Sequence, residues 1–455
     1  MWKWVEIVAG VGATAMVLGG VTGAAHPRAH SAASFMRSTE SPGLAPTAWP
    51  IDHNSQTNNP IFGTQSGRDG PNYLVRLPAL VNSAPVYVNN FVYVAGGYVD
   101  GPRNAAHPGF VWALDPTTGE LKWSVETPNS VFAQPIVAGN LLLIGIGNAA
   151  FSHPTQSPAT TPGAVRGVGP SGLYAFDASN GHLVWMFATT GADQAPPTVV
   201  GNTVYLASGD RHLYALRLTT GKELWATDIG HYVSRSSPRI MGNFAYMGGA
   251  GPLGVVAVNL RKHRVAWQRL IPGALEGVDD TPLAVTAGRL VTAALTGPKG
   301  IAPTSKRHQA RLFALNPRNG RIVWAKTLAT GRAPTFKSTG TPAVRGGTVY
   351  AGNAINGRLT ALSLRTGKIL WSVAVGAPVT RPPAVLGRDI EALTKSGDLV
   401  AVSRRGRILA RRQLADWVNA YGPVVYNNSV AVAGNTPLNG YAGMVPLLTG
   451  SGRKT

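Results

Sequence analysis

The chain of 455 residues contains no cysteine. Without a cysteine sulfur, the protein has no structural disulfide bond, no thiolate nucleophile and no thiolate ligand for a metal. Covalent attachment of haem is excluded for the same reason. Any active or binding site must therefore be built from other polar side chains.

Carboxylates are the second scarce group. Asp and Glu number 20 against 41 Lys and Arg, which gives a formal net charge of +21. The basic residues are scattered and not interleaved with aromatic residues, so the sequence predicts no nucleic-acid partner. A protein that works in acid can lack carboxylates at little loss, because they are protonated there and form no ion pairs. A positive surround would also attract a small anionic substrate.

A β-hairpin pattern recurs along the chain. In residues 312–324 alternating apolar residues form one arm, Asn319 and Gly320 make the turn, and a second arm ends at Trp324. Copies that place a glycine four residues before a tryptophan end at Trp123, Trp185, Trp225, Trp324 and Trp371.

Two further copies vary this pattern. One has His263 in the glycine position before Trp267, and the other has Gly406 followed by Ala410 in the tryptophan position. Successive copies lie 39 to 62 residues apart, which is the period of a four-stranded propeller blade.

Between the hairpins, a proline repeatedly opens an apolar strand that is followed by a polar turn and another apolar strand. These prolines are Pro85, Pro135, Pro197, Pro238, Pro282, Pro342, Pro383 and Pro423. Eight prolines accompany seven complete hairpins, and the eighth can be assembled from residues 442–450 and residues 73–77. Because this closure removes the exposed sheet edges, the sequence predicts an all-β fold. It is one eight-bladed β-propeller whose N- and C-terminal strands close one blade.

The motif Ala-Leu-Asp-x-x-Thr-Gly-x-x-x-Trp, at residues 113–123, resembles the pyrroloquinoline-quinone-type propeller repeat. The resemblance covers roughly residues 70–450 and implies the fold rather than the function. The same scaffold carries quinone-dependent alcohol dehydrogenases, outer-membrane assembly lipoproteins and the tetrathionate hydrolases of acidophilic sulfur oxidisers. In size and blade layout the chain is most similar to the last group.

The sequence divides into four segments. Residues 1–25 are predicted to be a signal peptide, with an apolar run after one lysine and small residues near its end. An uncleaved membrane anchor stays open, because the run approaches spanning length. Residues 26–66 form an N-terminal linker or wrap, residues 67–450 the propeller and residues 451–455 a basic tail. We expect an exported protein, periplasmic or extracellular, and leave outer-membrane association and a homo-oligomer open.

Three stretches without strand pattern interrupt the blades, at residues 100–108, 148–171 and 297–309. Propeller insertions usually lie on one rim, at the mouth of the central channel. Loops of this length are more often functional than accidental.

The residues two and three positions before each proline should form a ring around the channel. They are Asn82/Ser83, Phe132/Ala133, Gln194/Ala195, Arg235/Ser236, Asp279/Asp280, Thr339/Gly340, Thr380/Arg381 and Ala420/Tyr421. Asp279 and Asp280 are the carboxylates of this ring. Adjacent strand residues point in opposite directions, so at most one of the two should face the channel. The alternative is structural, with both pairing with Arg235 or Arg381 to hold blades together.

The resemblance to tetrathionate hydrolases implies a cofactor-free hydrolase that uses an aspartate in the channel. By position in the ring, we assign the base that activates water to Asp280 first and Asp279 second. The predicted substrate-binding residues are Arg235, Arg381, Lys337, His231 and Tyr421. Arginines suit this task because their forked N–H groups bind oxyanions. No metal ligand set is predicted.

Two alternatives stay open. A quinone-dependent dehydrogenase would need a calcium site of Glu, Asn and Asp, a tryptophan under the cofactor and usually an adjacent-cysteine disulfide. A non-catalytic scaffold of the outer-membrane assembly type would need a lipidated N-terminal cysteine. The absence of cysteine counts against both.

Overall fold

The computed structural model describes residues 4–6, 61–62, 72–88, 90–97, 106–151, 161–298, 300–302, 304–332, 340–417, 419–426, 429–437 and 439–448. All regular structure in these segments is β-strand. A search of the same segments finds no helix with the length and apolar character to span a membrane.

The first three strands lie before the first complete blade. They are β1 (Trp4–Glu6), β2 (Ile61–Phe62) and β3 (Tyr73–Leu77). The rest of residues 1–25, most of 26–66 and all of 451–455 lie outside the described residues, so the predicted leader, wrap and tail stay predictions.

Seven consecutive sheets follow in chain order, each antiparallel. Blade 1 contains β4 (Val86–Val88), β5 (Phe91–Gly97), β6 (Gly109–Leu114) and β7 (Leu121–Thr127). Blade 2 contains β8 (Ile136–Ala138), β9 (Leu141–Ile146), β10 (Gly172–Asp177) and β11 (Leu183–Ala188). Blade 3 contains β12 (Thr198–Val200), β13 (Thr203–Ala207), β14 (His212–Arg217) and β15 (Glu223–Asp228). Blade 4 contains β16 (Arg239–Met241), β17 (Phe244–Gly249), β18 (Gly254–Asn259) and β19 (Arg264–Leu270).

The next three blades include one with a divided first strand. Blade 5 contains β20 (Ala274–Glu276), β21 (Ala284–Val285), β22 (Leu290–Thr296), β23 (His308–Leu315) and β24 (Ile322–Gly331). Blade 6 contains β25 (Ala343–Arg345), β26 (Thr348–Ala351), β27 (Arg358–Ser363) and β28 (Ile369–Ala374). Blade 7 contains β29 (Ala384–Val385), β30 (Asp389–Leu393), β31 (Asp398–Ser403) and β32 (Ile408–Gln413).

Blade 8 joins the two ends of the chain. Its C-terminal strands are β33 (Asn419–Tyr426), β34 (Ser429–Asn435) and β35 (Gly440–Pro446). The outer edge of β35 pairs antiparallel with β3. β2 adds in parallel to β33, and β1 adds in parallel to β3. The predicted eight-bladed propeller, closed by N- and C-terminal strands, is therefore confirmed.

The glycine and tryptophan of the repeat form the joint between neighbouring blades. Gly221 of blade 3 adopts φ +66° and lies against the Trp185 indole of blade 2, where a Cβ atom would collide with the ring. Trp185 Nε1 donates to the Leu218 carbonyl at 2.9 Å. His263, in the glycine position of the next joint, instead stacks on Trp225, with ring centroids 4.7 Å apart. The repeat spacing thus records a contact between blades.

The joint between blades 8 and 1 uses a tyrosine of β3. Tyr73 Oη donates to the main-chain carbonyl of Asp115 at 3.0 Å. The Asp115 carboxylate accepts the amides of Thr117 and Thr118 at 2.8 and 2.9 Å, which fixes the hairpin turn. The closing strand therefore takes part in the same type of inter-blade contact as the repeats.

The first strands of neighbouring blades converge, since β25 contacts β29 and β29 contacts β33. Because successive strands are antiparallel, the loop between the second and third strands lies on the same face as the residues that precede the first strand. All three predicted insertions occupy such loops, after β5, β9 and β22. Of their residues, 100–105, 152–160, 299 and 303 lie outside the described part.

Candidate functional site at the channel mouth

One cavity opens where the blades converge. Seven blades contribute its lining, which consists of Asn82, Ser83, Ala84, Phe132, Gln134, Gln194, Pro196, Arg235, Asp280, Pro282, Arg381 and Tyr421. Part of the cavity is open to solvent. Eight of these residues occupy the positions two or three before a blade proline.

Asp280 reaches the cavity because the first strand of blade 5 is interrupted. β20 ends at Glu276 and β21 begins at Ala284, and both pair with β22. The chain leaves the strand at Gly277, whose φ of +99° favours glycine. The two carboxylates lie in the turn that follows, rather than alternating along a strand as we expected. We call residues 277–282 the acidic turn.

Asp279 is buried, and it holds the acidic turn against blade 4. Its Oδ2 accepts a hydrogen bond from Ser234 Oγ at 2.6 Å and lies 3.9 Å from Nη1 of Arg166. Its main-chain carbonyl accepts the amides of Arg235 and Ser236, both at 2.8 Å. Both charged side chains of the pair are buried, at 5% and 6% exposure. The insertion after β9 thus supplies a cationic partner for Asp279.

Tyr232 lies buried next to the acidic turn. Burial raises the pKa of Tyr232, and the charges of Asp279 and Asp280 raise it further, whereas Arg166 acts in the opposite direction. The Tyr232 ring packs edge-on against Phe151, and the Arg166 guanidinium lies 5.4 Å from the centroid of the Phe151 ring. One insertion therefore brings both an aromatic ring and a cation to the acidic turn.

Asp280 differs from Asp279 in its surroundings. It is half-buried and lines the cavity. Among the described residues, its carboxylate accepts no hydrogen bond and forms no salt bridge. A carboxylate of this kind can accept a proton from a molecule in the cavity.

The cations of the cavity stack on aromatic rings. The Arg235 guanidinium lies 5.3 Å from the Phe132 ring centroid, and that of Arg381 lies 4.6 Å from the Tyr421 centroid. Stacking orients the plane of a guanidinium while its N–H edge can bind an oxyanion. Burial, and then the charge of Arg381, lower the pKa of Lys395 to about 8. Lys395 follows β30 on the channel face, outside the predicted ring of residues that precede the prolines.

Amide side chains from blades 1 to 3 line the other part of the cavity. Asn82, Gln134 and Gln194 are all buried. Gln194 Nε2 donates to the Asn148 carbonyl at 2.7 Å. Within the described part of the chain, neither amide atom of Gln134 nor Nδ2 of Asn82 has a hydrogen-bond partner. Sequence reasoning missed Gln134 because it lies one residue before its proline, not two or three.

His231, another predicted residue, is not among the residues that line the cavity. His231 is buried, with Nδ1 2.6 Å from the Pro252 carbonyl, and burial lowers the pKa of its ring. Lys337 and Thr339 lie outside the described residues. Gly340, the other ring position of blade 6, is not part of the lining.

The protein is a propeller with an axial cavity. Among the described residues, this cavity is lined by one carboxylate together with guanidinium, amide and aromatic groups. Residues 150–296 and 281–436 match the PQQ-repeat family model described as "Outer membrane protein assembly factor BamB". These matches span more than half of the chain, so the chain belongs to this PQQ-repeat family.

Individual relatives carry different names. The chain is 29% identical over 349 residues to a tetrathionate hydrolase of Acidithiobacillus ferrooxidans, covering 74% of this chain and 66% of that protein. It is 25% identical over 389 residues to a tetrathionate hydrolase of Acidianus ambivalens, covering 74% and 71%. The chain thus spans about two thirds of the length of these relatives. The structure of BamB from Moraxella catarrhalis is similar in fold alone, with a TM-score of 0.55, 16% identity, and coverage of 83% of this chain and 98% of that one.

The family name raises the question of a quinone with its calcium ion. Calcium takes six to eight oxygen ligands, among them carboxylates. Asp280 contributes the one carboxylate of the described cavity lining. No group of three or more His, Asp or Glu residues in the described chain could hold a metal. These donors do not fit the Glu, Asn and Asp set that such a site needs.

Proposed function

We propose that this protein is an exported hydrolase of a small sulfur oxyanion, similar in activity to the tetrathionate hydrolases. Asp280 acts as the base that activates water, and Arg235 and Arg381 hold the dianion. The observation that carries the proposal is the Asp280 carboxylate, which shares a cavity with two arginines and has no partner among the described residues.

The charge distribution supports an anionic substrate. Residues 281–388, which include most of blade 5 and all of blade 6, contain 16 Lys and Arg and neither Asp nor Glu. A positive field of this kind attracts small dianions to the protein. Stacked arginines at the mouth then bind oxyanion oxygens with directed hydrogen bonds.

The proposed chemistry balances without a cofactor. A water molecule transfers a proton to Asp280 while its oxygen attacks one sulfonate sulfur of tetrathionate. The new S–O bond forms hydrogen sulfate, and the electron pair of the broken S–S bond leaves with a disulfane monosulfonate. This leaving group then releases sulfur and becomes thiosulfate. Arginines that contact the sulfonates stabilise the charge that develops on them.

The direct test is release of thiosulfate from tetrathionate by the purified protein, measured at about pH 3 and at pH 7. We expect turnover of tetrathionate by the purified protein. Absence of turnover at both values would refute the proposal.

A non-catalytic scaffold of the outer-membrane assembly type is the second candidate, because the matching family model carries that description. Such a scaffold needs no carboxylate in its channel. It predicts no turnover, and it predicts that Asp280→Asn changes nothing that the thiosulfate assay measures.

A further inference from the structure

Gln134 is a buried amide in the cavity that the mechanism above does not use. The residue is 3% exposed, and it belongs to the lining. Neither its Nε2 nor its Oε1 atom has a hydrogen-bond partner among the described residues. A buried polar group without a partner destabilises a fold, because it loses its hydration and gains nothing in return.

The position of Gln134 sets it apart from the arginines. It lies one residue further along its blade than the ring positions, and therefore deeper below the mouth. The other lining residues at or just before the blade prolines are Ala84, Pro196 and Pro282. Among the described residues, Gln134 is thus the polar group of an otherwise apolar floor. Nδ2 of Asn82, a ring residue of the neighbouring blade, also lacks a hydrogen-bond partner among the described residues.

We propose that Gln134 binds the inner end of the substrate dianion, with Nε2 donating to a sulfonate oxygen. This inference rests on the proposed function and specifies how the substrate is oriented. Arg235 and Arg381, nearer the mouth, engage the outer end. A neutral amide recognises the oxygen without placing another charge in the floor, and its carbonyl can accept a hydrogen bond from a water molecule that enters with the anion.

Gln134→Met is the informative variant, because it keeps the length of the side chain and removes both polar atoms. We expect its resistance to urea to be equal to or higher than that of the wild type. We expect its affinity for tetrathionate to fall roughly 10- to 100-fold, the usual range for a lost hydrogen bond to a charged group. A structural role predicts the reverse, with lower stability and unchanged affinity. Gln309→Met, on β23 and outside the cavity lining, is the matched control and should change neither.

Gln134→Glu gives a second, independent readout. At about pH 3 a glutamic acid is neutral and its O–H can donate in place of the amide. At pH 7 an ionised carboxylate repels the dianion. The affinity of the variant relative to wild type should therefore be near one in acid and fall more than 10-fold at pH 7.

Calorimetry of tetrathionate binding tests this on the full chain, with Asp280→Asn present in every protein so that no turnover is needed. Weaker binding by Gln134→Met, with retained stability, supports the inference. Equal binding by Gln134→Met overturns it, and leaves the proposed function intact if the wild type hydrolyses tetrathionate. If the wild type neither binds nor hydrolyses tetrathionate, both proposals are wrong. If it binds without hydrolysis, only the proposed function is wrong, and Gln134→Met still decides this inference.

Discussion

Changing each of the two adjacent carboxylates of the acidic turn to an amide should have opposite effects: one change should lower kcat, and the other should lower stability. Asp280→Asn removes a carboxylate that has no partner among the described residues, so the free energy of unfolding should change by less than about 0.5 kcal/mol. If Asp280 is the base, kcat should fall roughly 10²- to 10⁴-fold, the contribution typical of a positioned general base.

Asp279→Asn should instead destabilise the protein. Removing one member of a buried charge pair typically costs about 3–5 kcal/mol. The Asp279–Arg166 separation of 3.9 Å is long, and asparagine keeps an acceptor for Ser234, so we expect a smaller loss, roughly 2–3 kcal/mol. The folded fraction should still turn over substrate, because Asp280 is retained.

Urea unfolding followed by tryptophan fluorescence measures the stabilities, and thiosulfate release measures the rates. Asp416→Asn, at an exposed carboxylate outside the cavity, is the control for both. The reasoning would be refuted if Asp279→Asn abolished turnover in a stable protein while Asp280→Asn left the rate unchanged.

Three further predictions concern other residues. Asp193 is completely buried, and its pKa is raised first by this burial and then by the charge of Asp210. The folded protein therefore retains a proton on Asp193 that the unfolded chain releases above about pH 4. Stability should therefore fall as pH rises from there toward the raised pKa, and urea titrations from pH 3 to 7 should show a weaker decline for Asp193→Asn. Gly248→Ala should lower both stability and kcat, because its Cβ atom would collide with the Val278 carbonyl and displace the acidic turn; an unchanged urea midpoint would contradict this packing. Arg381→Met should raise KM roughly 10- to 100-fold with a smaller effect on kcat, and it should weaken the salt dependence of kcat/KM in stopped assays at increasing ionic strength.

The sequence alone determined the architecture, because the repeat is a direct record of contacts between blades. A glycine must lie against the indole of the preceding blade, as Gly221 does against Trp185, and five hairpins keep that glycine four residues before their own tryptophan. Closure of the ring was equally predictable, since the strand that begins at Tyr73 has no partner strand close to it in sequence. The position of Asp280 near the axis also followed from the count of residues before its proline.

Only the tertiary structure decided how the site is arranged. The acidic turn leaves the strand at Gly277, and this local break assigns Asp280 to the cavity and Asp279 to a buried pair. The partner of that pair, Arg166, comes from an insertion without a repeat pattern, more than 100 residues away in sequence. Gln134 likewise occupies a depth in the channel that no periodicity marks. Repeat spacing reports contacts that every blade makes, whereas these side chains depend on one loop and one interrupted strand that occur once in the ring.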